Sequence, residues 1–248
     1  MDWPAPLTVR EVAAELGCSE DEVRGLIRDG ELRTVACGIR PGLVPRHEFD
    51  DYLRRIGTCD VSKLPGLALA AFWVNAYNAF NIQGVLEHWP IENIKSVDGF
   101  LDKRRWHVAN LDLTLNDIEY KQLIPVHKDA RDHFAVVCAD QGSVPLESHA
   151  YTADDLETTL EKKARDFVAD SHNFSVDIPG KRVSVSMLFS SEWYEKDFFA
   201  DPRFHGKRVV EYLILYVDKQ TADFLASGDY TVSYIDWNWA LNAASSSK

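Results

Sequence analysis

The stretch Leu67-Ala-Leu-Ala-Ala-Phe-Trp-Val-Asn-Ala-Tyr-Asn-Ala-Phe-Asn-Ile-Gln-Gly-Val-Leu-Glu-His-Trp89 decides the fold. Pro65 stands before it, where a first helical turn tolerates proline, and Pro90 stands after it, where a helix must already have stopped. Between them apolar residues fall on nearly every side of the helical wheel, which predicts a helix buried by neighbours on most faces. Asparagine interrupts it too often for a membrane span. Asn75 and Asn78 share a face, with Asn81 displaced round the axis, and a buried amide without partners costs about 1–3 kcal/mol. Two readings stay open. Either neighbouring main chain or water pairs with these amides and fixes the packing register, or they line a polar pocket.

The rest of the chain supplies the material to bury that helix. Its 248 residues, 46% of them hydrophobic, suffice for one large domain or for a small module plus a medium one. There are 27 basic against 39 acidic residues, a formal charge of −12, and that field repels nucleic acid and anionic membranes unless a local basic patch overrides it. The opening Met-Asp-Trp-Pro-Ala-Pro has neither the basic region nor the apolar core of a secretory signal, so a cytoplasmic location is expected. Cys18, Cys37, Cys59 and Cys138 are scattered, with no CxxC pair, which argues against a zinc ribbon or a disulfide framework. Each is expected to be a small buried hydrophobe.

Residues 1–56 read as a separate module. Thr8 with Glu11, and Ser19 with Glu22, form two capping boxes that open helices ended by Gly17 and Gly30. The stretch from Leu32 to Val44 reads as a hairpin or wing, and Pro45 to Ile56 as a third helix with Phe49, Tyr52 and Leu53 facing inward. The runs Leu7-Thr-Val-Arg-Glu-Val-Ala-Ala-Glu-Leu-Gly-Cys-Ser19, Leu26-Ile-Arg-Asp-Gly-Glu-Leu32 and Pro45-Arg-His-Glu-Phe-Asp-Asp-Tyr-Leu53 resemble the excisionase and MerR-type winged helix-turn-helix. The resemblance implies a second helix in the major groove and a wing on the backbone, with Arg24, Arg28 and Arg40 as candidate DNA contacts. Against this, Ser19 is followed by Glu20, Asp21 and Glu22, and residues 1–56 hold eight Arg and no Lys against eleven acids. Three carboxylates at the tip of a recognition helix would face phosphates, so DNA is the disfavoured partner.

From residue 57 to 248 the pattern predicts a helix-rich domain with a mostly antiparallel sheet, an α+β fold carrying the small winged helix-turn-helix packed on it. A hairpin turns near Ala109-Asn110, and Thr114 with Asp117 boxes a helix over Leu115–Ile124. His133–Cys138 reads as a buried strand, and Thr152 as the cap of a long helix with Leu156, Leu160, Ala164 and Phe167 inward and its charge run solvated. Two strands turn at Pro179-Gly180, Ser190 caps a helix through Phe198, Val209–Tyr216 has helical spacing, and Tyr230–Ile235 is a last strand.

Several of these pieces together resemble one family, the domain of unknown function DUF547. They are Ala71-Phe-Trp-Val-Asn-Ala-Tyr-Asn-Ala79, Leu113-Thr-Leu-Asn-Asp-Ile-Glu119, His133-Phe-Ala-Val-Val-Cys138, Trp193-Tyr-Glu-Lys-Asp-Phe198 and Tyr234-Ile-Asp-Trp-Asn-Trp-Ala-Leu-Asn242, in the family's order across 60–242. The resemblance defines membership and implies no agreed chemistry.

Within those motifs Cys138 is the leading nucleophile candidate, because it ends a predicted strand at a Gly-containing loop, and a reactive thiol needs a base or a helix N-terminus beside it. His133 and Glu119 are the accompanying acid–base candidates. His133 lies five residues upstream, and on a regular strand that odd separation sends the two side chains to opposite faces. Asn75, Asn78, Tyr77, Trp193 and Asp197 are the candidate ligand contacts. His127, Asp129, Asp132 and His133 lack metal-site spacing and read as a polar turn, so no metal is expected. No P-loop, GxGxxG or GxSxG is present, and no cofactor is expected.

Three functions fit these residues. One is a domain binding a small-molecule or peptide ligand, with Cys-dependent hydrolase or transferase activity. The second is a DNA-binding regulator that senses a ligand through its C-terminal domain, and the third a non-catalytic interaction protein. No membrane partner is expected.

Overall fold

The computed structural model describes residues 46–147 and 149–242, together with Val12, Ser19, Asp21 and Val23. The predicted first two helices and wing of the N-terminal module, with Arg24, Arg28 and Arg40, lie outside the described residues. The predicted third helix is α1, Arg46–Gly57. Phe49, Tyr52 and Leu53 pack from it onto the main core, as their spacing required, and Ile56 is buried there.

The central helix is α2, Gly66–His88. Pro65 lies extended at its start, and Trp89 is extended because a residue before proline is pushed out of the helical region. Residues from all round it are buried, including Trp73, Val74, Tyr77, Phe80 and Val85. The hairpin follows as β1, Trp106–Val108, paired antiparallel with β2, Leu111–Leu113. Both turn residues, Ala109 and Asn110, have positive φ, the pattern of a two-residue type I′ turn. Alanine tolerates that conformation poorly, and the turn is held by bonds from the Ala109 and Asn110 amides to the Ile56 and Gly57 carbonyls at the end of α1.

Thr114 and Asp117 form the predicted capping box, and from them runs a helix in three parts: α3, Leu115–Asp117; a π turn, Ile118–Leu123; and α4, Ile124–His127. Pro125 cannot donate to the carbonyl four residues back, and the ladder widens just before it.

The predicted strand at His133–Cys138 is absent. Asp132–Ala135 is instead a helical turn, α5, and the chain becomes extended only at Val136. The Asp129 carboxylate starts that turn by accepting from the Arg131 amide at 2.9 Å. Among the described residues no strand lies alongside the segment to pair with it; Asn78 of α2 does so instead, as described below.

The long helix α6, Leu156–Ala169, buries the predicted Leu156, Leu160, Ala164 and Phe167. Thr152 and Asp155 bond each other's amides one turn before its first residue, so the cap pair exists but the helix starts later than predicted. The charge run is not wholly solvated. Lys163 is buried, bonded to the Pro145 carbonyl and 3.1 Å from Glu147, and so fastens the 145–147 segment to α6.

The second sheet has the order β3-β4-β5, from β3 (Phe174–Asp177), β4 (Arg182–Ser186) and β5 (Thr231–Ile235). β3 and β4 are antiparallel and β4 and β5 parallel, so β3 begins at the end of the sheet where β4 and β5 both stop. Between β4 and β5 lie α7 (Glu195–Ala200), a 3-10 run at Val209–Leu215, and α8 (Lys219–Ser227), which the sequence reading missed. The Ser190 hydroxyl is buried without a partner among the described residues, so it does not cap α7 as predicted. The fold is α+β, with mostly antiparallel pairing. Among the described residues no helix is long and apolar enough to cross a membrane.

Candidate functional site

Asn78 and Asn75 are spent on main chain. Asn78 donates to the Ala135 carbonyl at 2.9 Å and accepts from the Val137 amide at 2.9 Å, gripping the extended segment on both sides of Val136. Asn75 does the same to Tyr151, donating to its carbonyl at 2.8 Å and accepting from its amide at 2.9 Å. The helix thus carries two amide clasps, and the first of the two readings describes both. Asn81 differs: it is buried, and neither its oxygen nor its nitrogen has a partner among the described residues.

The Asn78 clasp sets His133 and Cys138 on either side of it. His133, at the start of the helical turn, bonds Glu119 through Nδ1 at 3.1 Å and Asp197 through Nε2 at 3.2 Å. Glu119 comes from the π turn and Asp197 from α7, so three separate elements meet at one imidazole. Two carboxylates can only accept, so both ring nitrogens carry protons and the ring is an imidazolium. Burial alone would lower its pKa, but the Asp197 and Glu119 hydrogen bonds outweigh that and raise it to about 9. Tyr194 stacks on the ring, centroids 3.7 Å apart.

Cys138 lies half-buried, its Sγ 3.4 Å from the Tyr77 hydroxyl. Burial pushes its thiol well up, and the nearby carboxylates of Asp140 and Glu119 push the same way. Burial likewise raises Tyr77, Tyr120 and Tyr194, with the Glu119 charge acting on all three phenols. Tyr120 and Tyr194 are joined by a 3.2 Å hydrogen bond. Glu119, His133, Asp197, Tyr77 and Cys138 therefore share one neighbourhood, and the argument that put His133 and Cys138 on opposite strand faces fails with the strand. No histidine is within hydrogen-bond reach of Cys138 among the described residues.

The loop after Cys138 is tied down by Asp140, which is buried. Its Oδ1 accepts from the Ser143 amide at 2.8 Å and hydroxyl at 2.9 Å, and its Oδ2 accepts from Trp237 Nε1 at 2.9 Å. The last described segment runs beside this loop, with bonds from Gln141 to Ala240, Gly142 to Asn238 and Asn242 to Ala139. Trp193, half-exposed, stands against Trp237 and Trp239 at centroid distances of 5.3 and 5.8 Å. Sequence reasoning did not select Tyr120 or Asp140. A tyrosine beside Glu119 and an aspartate two residues after Cys138 were the available signals, but only the fold shows what they face.

His127, Asp129 and Glu157 bring ligand atoms within 4.8 Å of one another. The Arg131 guanidinium already sits between Asp129, at 2.6 Å, and Glu157, at 2.5 Å, so a cation of the protein's own occupies the space.

These features describe a class: an α+β domain built round an asparagine-bearing helix, with a histidine clamped by two carboxylates. A family described as "Protein of unknown function, DUF547" matches residues 61–168, and one described as "Helix-turn-helix domain" matches residues 6–56. The chain is similar to both in the order expected from its sequence, and the first match is shorter than the span over which the motifs were read. It contains Asn75, Tyr77, Asn78, Glu119, His133 and Cys138, whereas Trp193, Tyr194 and Asp197 lie beyond it. No curated protein and no solved structure matches the chain.

Proposed function

We propose that the region following the helix-turn-helix stretch is a ligand-binding domain, its site the partly exposed cluster of Tyr120, Tyr194, Trp193 and Cys138 around His133, with His133 as its fixed proton. The double clamp on His133 carries this reading. One carboxylate suffices for a structural ion pair; a second adds desolvation cost and leaves the cluster with a net negative charge. That charge, rimmed by phenols and indole, suits a small molecule or peptide bearing a cationic or hydrogen-bond-donating group. Asp197, the more exposed of the two carboxylates, is the one a ligand meets.

Hydrolase or transferase chemistry through Cys138 is the narrower form of the same reading. It requires ligand binding to bring a base to a thiol that burial keeps protonated. A thermal-shift screen of the full chain with amines, amino acids and lysine- or arginine-containing tripeptides tests the binding role. Stabilisation that disappears in Asp197→Asn supports it; the absence of any shift across the set overturns it.

A second reading, a DNA-contacting regulator, is favoured by the helix-turn-helix match at 6–56. Duplex binding that falls steeply with salt supports it, and no binding at low salt removes it. Both readings share the cytoplasmic setting expected from the sequence.

A further inference from the structure

At the end of the second sheet where β3 begins and β4 and β5 stop, the chain leaves a cleft of about 520 Å³, within the range of small-ligand pockets. One wall is Trp237. Its indole is immobilised, since Nε1 is bonded to Asp140 and a Cβ placed on Gly142 would lie 2.6 Å from the ring. Around it Ser171, Asn173 and Asp236 line the cleft, and none of these three side chains makes a hydrogen bond or ion pair with any described residue. Asp170 and His172 are committed to each other at 2.9 Å.

We propose that this cleft binds a neutral or amino sugar. A solvent-facing hydroxyl, amide and carboxylate that no described residue engages, lining one cleft beside a fixed indole, match a pyranose, which offers a ring of hydroxyls and one apolar face. Charge narrows the class. Asp170 and Asp236 line the cleft and no lysine or arginine does, which leaves it negative, so sugar phosphates and uronic acids are repelled. None of the residues of the His133 cluster lines this cleft, although Trp237 of its wall touches Trp193.

The test is saturation-transfer NMR on the full chain with glucose, galactose, N-acetylglucosamine, glucosamine, glucuronic acid and glucose 6-phosphate at millimolar concentration. At least one of the first four should receive saturation and the two anionic probes should not. Asp236→Asn and Asn173→Ala should each weaken that binding by about tenfold, since each removes a hydrogen bond to the ligand. Because neither side chain has a partner among the described residues, both variants should melt as the parent does, which separates loss of binding from loss of fold. The proposal is overturned if no sugar receives saturation, if the anions bind equally, or if binding survives both substitutions.

Discussion

The imidazolium of His133 and the ring of Tyr194 lie face to face, 3.7 Å between centroids and 26° from parallel. A phenol face attracts a cation, so Tyr194 favours the same charged state that Glu119 and Asp197 hold by hydrogen bonds. The partners come from two stretches far from His133 in sequence, Glu119 from the π turn and Tyr194 and Asp197 from the start of α7, which makes the charge on His133 a property of the fold and ties its proton to folding.

That linkage has a sign. The folded pKa of about 9 lies above the ordinary value of 6.5, so the contribution is fully present below pH 6.5 and is lost as pH rises through 9. At neutral pH it amounts to about 2–3 kcal/mol. Urea denaturation from pH 6 to 10 should show stability falling mainly between about pH 6.5 and 9 and levelling off above that, and His133→Asn should flatten the fall. A parent and variant with parallel profiles would refute the linkage.

The asparagines of α2 should respond in opposite directions. Asn78→Ala strands the Ala135 carbonyl and the Val137 amide in the interior, at a cost of about 2–4 kcal/mol. Asn81→Leu removes two unpaired polar atoms and should be neutral or stabilising by about 1 kcal/mol. Chemical denaturation of the two variants decides it. Marked destabilisation by Asn81→Leu would mean that the amide has a partner beyond the described residues.

Cys138 should be a slow thiol. With burial and two carboxylates holding it protonated, peptide-resolved alkylation by iodoacetamide at neutral pH should run at least about tenfold slower than for glutathione. Tyr77→Phe, which removes the partner hydroxyl while keeping the ring, should not speed it. Faster labelling than glutathione would establish a thiolate and revive nucleophilic chemistry.

Gly142→Ala should disturb the aromatic wall. The added methyl would press on the Trp237 ring, whose Nε1 bond to Asp140 ties the last described segment to the Cys138 loop. The expected cost is about 1–3 kcal/mol, with an altered near-ultraviolet circular dichroism spectrum. An unchanged spectrum and melting curve would show that the indole has room to move.

The chain's own pattern specified a good deal. Pro65 and Pro90 bracketed α2, Thr114 and Asp117 marked their capping box, Ala109-Asn110 the turn, and Pro179-Gly180 the β3–β4 hairpin. Each depends on bonds or dihedrals within a few residues, and so is written locally. The α8 helix was missed although its signal was equally local, an Asp218 side chain capping the Thr221 amide at 3.0 Å.

His133–Cys138 went the other way. Val136, Val137 and Cys138 look like a strand, but a strand needs a neighbour, and the neighbour here is the Asn78 side chain, 57 to 59 residues away. The candidate residues were legible because polar groups in apolar motifs are conspicuous. Which of them meet depended on contacts spanning up to 64 residues, as between His133 and Asp197. Sequence by itself determined the central helix, the capping boxes, the turns and the set of reactive groups; only tertiary structure decided that the histidine is held as a cation and the thiol kept neutral, because burial and the partners across space set a proton's affinity.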